Sequence, residues 1–175
     1  VLVAPKIGGK VWGAVEKSTG REFVYWNPVV KFREIAMRGP WTSGGIELNF
    51  GIIGHAPTTA TPVDYLIQEN ADGSVSCIVG AIDLPSRTVW RVNVRLPKDA
   101  AYFETECFWY NPTSLPDSLY NWLTSGQDAG DDLKFFYPGT HHIGHGGDVH
   151  PWPVVENGRD VSSYRNNDFG SSKSY

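Results

Sequence analysis

The chain has 175 residues, a net charge of −4, and only 19% charged side chains with both signs scattered along it. That length suits one domain with a real core. The absence of a basic stripe excludes nucleic acid as an expected partner, and no apolar run is long enough to span a bilayer as a helix.

Val1 to Pro5 opens the chain in a strand-like segment, with no signal peptide and no initiator methionine, so a piece of a longer polypeptide is expected. Ile7 to Glu16 reads as a glycine turn running into a strand. Lys17 to Arg21 is a turn and Glu22 to Asn27 the returning strand, together a hairpin. Pro28 to Arg38 has room for one short helical turn. From Arg38 to Pro62 the chain is rich in glycine, proline and apolar residues, as a packed loop lining a site would be. Inside it, Ile46-Glu47-Leu48-Asn49-Phe50 alternates, which aims Glu47 and Asn49 away from the apolar side.

Val63 to Glu69 and Ser74 to Ile82 form a hairpin around Asp72-Gly73. Trp90 to Leu96 has the clearest alternation, with Trp90, Val92, Val94 and Leu96 on one face and Arg91, Asn93 and Arg95 on the other. Further strands are expected at Tyr102 to Tyr110, Ser118 to Ser125 and Leu133 to Tyr137; beyond Pro138 the chain reads mostly as loop. No segment keeps helical periodicity over three turns. Consecutive hairpins at this spacing predict an all-β, antiparallel β-sandwich, read as a single domain over 1–175 without repeat or linker. Cys77 and Cys107 lack metal or dithiol spacing and are expected as buried free thiols, a cross-strand disulfide being the alternative.

Four of the five histidines fall within His141 to His150. Imidazoles suit proton transfer near neutral pH. They can equally cap turns, and His141, His145, Asp148 and His150 are ordinary metal ligands by type. No cofactor is expected, with a metal at those four residues as the lesser alternative. Glu47, on the loop shared with His55, is the candidate carboxylate for proton transfer, or else it orders its loop. The candidate catalytic residues are Glu47 and His145. Candidate substrate contacts are His55, Trp41, Arg91, His141, Asn121 and Trp122. The indoles of Trp41 and Trp122 can cover the C–H face of a sugar ring or fill the core. Arg91 and Arg95 can fork onto a uronate carboxylate or face solvent.

Several stretches carry a family resemblance. GGKVWGAVEKSTGREFVYWNP resembles the N-terminal signature of the galactose-mutarotase-like sandwiches, and Gly54-His55 occupies the place of their glycine–histidine pair. RGPWTSGGIELNF, GHAPTT, PVDY and Tyr164-Arg165-Asn166 resemble a bacterial domain of unknown function within that superfamily, sometimes joined to tetratricopeptide repeats. The resemblance implies a β-supersandwich with a sugar site on a concave sheet. It also implies an incomplete domain, since such folds need roughly 250–300 residues.

Epimerases of the superfamily work with a histidine acid and a late glutamate base. Here the strand expected to deliver that histidine reads Ser118-Leu119-Tyr120-Asn121-Trp122 and contains none, and His55 resembles their substrate-binding histidine. The expected function is carbohydrate binding or processing of the epimerase, hydrolase or lyase type. The alternatives are a non-catalytic carbohydrate-binding module and a structural or interaction domain. A carbohydrate is the expected ligand. Uncovered sheet edges make a dimer of this chain a further expectation.

Overall fold

Strands with one apolar face need a second sheet to cover it, and two sheets built this way meet through a shared core. The computed structural model describes residues 1–34, 39–118, 121–144 and 146–166. Its strands are β1 (Leu2–Ala4), β2 (Lys10–Glu16), β3 (Arg21–Val24), β4 (Arg33–Glu34), β5 (Pro40–Trp41) and β6 (Ile46–Phe50). They continue with β7 (Asp64–Glu69), β8 (Val75–Asp83), β9 (Thr88–Leu96), β10 (Glu104–Tyr110), β11 (Asn121–Ser125), β12 (His141–Ile143) and β13 (Val149–Pro151). Among the described residues the only helical segments are short 3-10 turns, and none is long and apolar enough to cross a membrane. The chain divides into two compact units, Val1–Gln127 and Asp128–Tyr175.

The first unit is an antiparallel β-sandwich. One sheet runs β1-β2-β6-β11 with β3 paired to β2, and the other runs β10-β9-β8-β7. Val11 of β2 and Leu48 and Phe50 of β6 meet Val79 of β8 and Trp90, Val92 and Val94 of β9 in one buried cluster. Phe50 lies flat on Trp90, with ring centroids 4.9 Å apart and planes 7° from parallel. The expected alternation in β9 holds for the core positions Trp90, Val92 and Val94. On its other face, Arg95 bonds Ser74 and Glu104 and pairs with Asp72 at the β7–β8 turn.

Four local expectations are corrected. Arg33–Glu34 is a strand paired to β5, and residues 28–34 hold no helical turn; residues 35–38 of that segment lie outside the described residues. Leu133 to Tyr137 makes only an isolated bridge, Lys134 to Ser163. Phe136 in that segment stands 85% exposed. Of the two thiols, both free, Cys77 is half-buried but Cys107 is exposed. Cys77 lies opposite Val94 and Cys107 opposite Val92, on either side of β9. Two strand spacings, together roughly 9–10 Å, and a two-residue offset along the strands separate them, beyond disulfide reach. Finally, of the strand expected over Ser118 to Ser125, Ser118 lies outside any strand and Asn121–Ser125 forms one, while residues 119–120 lie outside the described residues.

The second unit is built on the β12–β13 hairpin and loops tied by backbone hydrogen bonds, among them Phe135 N–H to Ser162 O and Trp152 N–H to Thr140 O. An Arg165–Asp131 ion pair adds to these ties.

Candidate functional site

The alternation of β6 decides what lies on the far side of the five-stranded sheet. Leu48 and Phe50 fill the core, so Glu47 and Asn49 project from the opposite face. Two neighbouring strands add to the same face. Val11 pairs with Ile46, which brings Lys10 of β2 alongside Glu47. On β11, Thr124 stands opposite Glu47 and Trp122 opposite Asn49. A polar row of Lys10, Glu47 and Thr124 therefore crosses three strands, with Trp122 beside it.

This face is covered. Glu47 is 1% exposed, Lys10 1% and Asn49 0%. The cover is the loop after β6, held by the Asn49 side chain, whose Oδ1 accepts the Ala56 N–H at 2.9 Å. The Thr59 hydroxyl donates to the carbonyls of Ala56 and Pro40. Gly39 passes beneath with φ +84, and a Cβ there would stand 1.9 Å from the His55 carbonyl oxygen. Only glycine fits that approach.

The loop so fixed delivers His55 to Glu47, with Nδ1 3.0 Å from Oε1. The other carboxylate oxygen accepts the Thr124 hydroxyl at 3.2 Å. The edge of His55 packs on Trp122, with centroids 5.0 Å apart and planes at 64°. Because the carboxylate accepts, Nδ1 carries the hydrogen and Nε2 is left as the outward nitrogen. Among the described residues no hydrogen bond engages Nε2, and the His55 side chain keeps 12% of its surface exposed.

Lys10 is the third charged member. Its ammonium donates to the Thr42 carbonyl at 3.0 Å and lies 5.6 Å from the Trp12 ring centroid. Burial pushes its pKa down to about 8, against the opposing pull of the Glu47 charge. A buried ammonium beside a buried carboxylate holds the row in one geometry, because either charge left alone would be costly.

The remaining candidates are dispersed. Arg91 is exposed on the outer face of the four-stranded sheet, with the whole sandwich core between it and Glu47. Asn121 lies on the face of β11 opposite to Trp122, beside Phe50 in register. Trp41 sits half-buried in β5. In the second unit His141 is exposed and bonded to the Thr140 hydroxyl at 2.9 Å. His145 lies outside the described residues, among which no three His, Cys, Asp or Glu side chains gather to hold a metal.

Residues 1–175 match the family described as Domain of unknown function (DUF5107). The chain belongs to that family. Its fold is similar to part of a TPR-domain containing protein from Parabacteroides distasonis, with a TM-score of 0.70 at 23% identity. The match covers 86% of this chain and 26% of that protein, so this DUF5107 chain spans about a quarter of its length.

Sequence reading of this family member missed two sets of residues. Lys10 and Thr124 join Glu47 through strand pairing over 37 and 77 positions respectively, which no local pattern reveals. His142 is no candidate in the sequence and His150 only a possible metal ligand, yet they are the pair that faces each other across β12 and β13. Their signal was the Gly146-Gly147 turn between two short β-branched segments.

Proposed function

We propose that this domain binds a carbohydrate at the polar face of the five-stranded sheet, with His55 Nε2 bonding a sugar hydroxyl beside the Trp122 ring. One observation carries the reading: the fully buried Glu47 carboxylate is committed to holding His55 against Trp122. A carboxylate with that placement is a positioning group, and the imidazole is the group left for a ligand. The finer fold assignment, a galactose-mutarotase-like supersandwich, draws support from the sequence resemblance and from two antiparallel sheets sharing one core.

Binding is favoured over processing. Epimerisation or hydrolysis needs two groups that exchange protons around the sugar ring, whereas Glu47 and Lys10 are both buried and engaged. The Glu47–His55 contact itself favours a second reading, in which His55 is one member of an acid–base pair. The other member then comes from elsewhere in a longer polypeptide.

Saccharide titration of the intact protein, followed by product analysis for any saccharide that binds, tests both. His55→Ala is expected to weaken binding about tenfold, the loss of one well-placed hydrogen bond with its packing. Binding that is unchanged in both His55→Ala and Trp122→Ala rules out this face as the ligand site. Turnover that His55→Ala abolishes without loss of binding establishes the second reading.

A further inference from the structure

The second unit contains a pocket of about 770 Å³ that plays no part in the site above. Its construction follows from the β12–β13 hairpin. Antiparallel pairing sets His142 opposite His150, with ring centroids 5.4 Å apart. Trp152, two residues after His150, presents an edge to His142 at 6.1 Å. Tyr137 stacks on Trp152 at 4.2 Å, with planes 23° apart. An aromatic wall and a pair of imidazoles thus share one cavity.

The polar groups of the cavity have capacity to spare. Among the described residues His142 Nδ1 is buried with no hydrogen-bond partner, and such an atom in a folded protein calls for an explanation. His150 Nδ1 stands 3.4 Å from Glu156 Oε1, a long contact on an exposed carboxylate. Asn157 and Arg159 add further polar groups to the lining.

We propose that this pocket binds a neutral saccharide ring. The Tyr137–Trp152 wall offers the flat apolar surface that a pyranose C–H face covers, and His142, Glu156, Asn157 and Arg159 supply donors and acceptors for its hydroxyls. The volume lies within the ~300–1,000 Å³ of ordinary small-ligand pockets. Glu156 and Arg159 line the same cavity with opposite charges, which balances the pocket toward a neutral ring rather than a carboxylated one. The Glu156 backbone N–H and the adjacent His150 and His142 hold the Glu156 carboxyl below the usual range, so it is charged at neutral pH. This site stands on residues of the second unit alone and does not depend on the reading of the polar face in the first.

The test is a titration of the chain with methyl β-glucopyranoside, methyl β-galactopyranoside, cellobiose and lactose, with galacturonate as the charged control. Nitrogen–proton spectra follow the indole N–H signals of Trp152 and Trp122 separately. A saturable shift of Trp152 with at least one neutral sugar is expected. Glu156→Gln and Asn157→Ala, at exposed positions that should leave the unit folded, are each expected to weaken it about three- to tenfold. Trp152→Phe, which keeps an aromatic face and is followed by calorimetry because it lacks the indole signal, should bind within about threefold of the wild-type chain.

No Trp152 shift up to concentrations on the order of 10 mM overturns the proposal. So does a response to galacturonate alone, or affinity unchanged in the Glu156→Gln/Asn157→Ala double variant. A shift of Trp122 without Trp152 supports the first-unit site and refutes this one. A shift of Trp152 without Trp122 does the reverse.

Discussion

Strands β6 and β9 carry the same alternating pattern and share one core, yet their polar faces have opposite surroundings. In β9, Arg91 is exposed and Arg95 is spent on surface ion pairs. In β6, Glu47 and Asn49 are as deeply buried as the Leu48 and Phe50 beside them. The difference is the cover. Nothing in the first unit's fold buries Arg91, whereas the segment from Gly51 to Thr59 folds back over Glu47, anchored by Asn49 and threaded past Gly39. Alternation assigns a residue to a face; a loop distant from the pattern decides whether that face is solvent or site.

The largest expected effect tests what the two strands have in common. Phe50 and Trp90 stack on each other and are 1% and 0% exposed. Phe50→Ala and Trp90→Ala should each cost about 3–5 kcal/mol, since either opens a cavity the partner ring cannot close. Urea denaturation measures both. Similar losses confirm a shared core face, and a small loss in either strand breaks the equivalence on which the comparison stands.

Next comes a pH dependence that belongs to the β6 face alone. Burial lowers the Lys10 pKa from 10.5 to about 8. The folded state therefore releases this proton at a lower pH than the unfolded chain, and the cost of burying the ammonium is fully present below about pH 8. As pH rises from about 8 to 10.5 the unfolded state holds more protons, so stability rises. Relative to Lys10→Met, which has no such proton, the wild-type chain should gain ~2–3 kcal/mol across that window. Taking the difference from the variant also cancels the contributions that the two proteins share. A difference between the two proteins that stays flat from pH 7 to 10.5 means that Lys10 is solvated and the β6 face open.

These contrasts mark what was legible in the sequence. The sandwich class follows from hairpin spacing, and the facing of Glu47 and Asn49 from five residues of β6. His55 was legible as a loop residue near Glu47, eight positions away. Lys10 was not, although Lys10, Trp12 and Ala14 alternate with the core residue Val11, because only the Val11–Ile46 register brings the ammonium to the carboxylate. The Leu133 to Tyr137 segment erred in the other direction: among the described residues its β-formers make a single bridge, since β-propensity acts only through the neighbours a strand packs against. In the histidine-rich stretch, residue type drew attention to His141, while hairpin register gives the pocket to His142 and His150.

The smallest expected effect is at Arg91, and its value lies in contrast with Lys10. Both are cations on strands flanking the same core. Lys10 is held by the Thr42 carbonyl and the Glu47 charge, and its head group has no water to return to. Arg91 is exposed on the outer sheet face, and truncation there removes little that solvent cannot replace. Arg91→Ala should change stability by no more than ~0.5 kcal/mol, with no dependence on pH between 7 and 10.5. Its effect on saccharide binding at His55 should be nil, because the sandwich core stands between the two faces. If Arg91→Ala weakens that binding, the ligand reaches the outer face of the four-stranded sheet, and the loop over Glu47 is then a structural cover rather than the wall of a site.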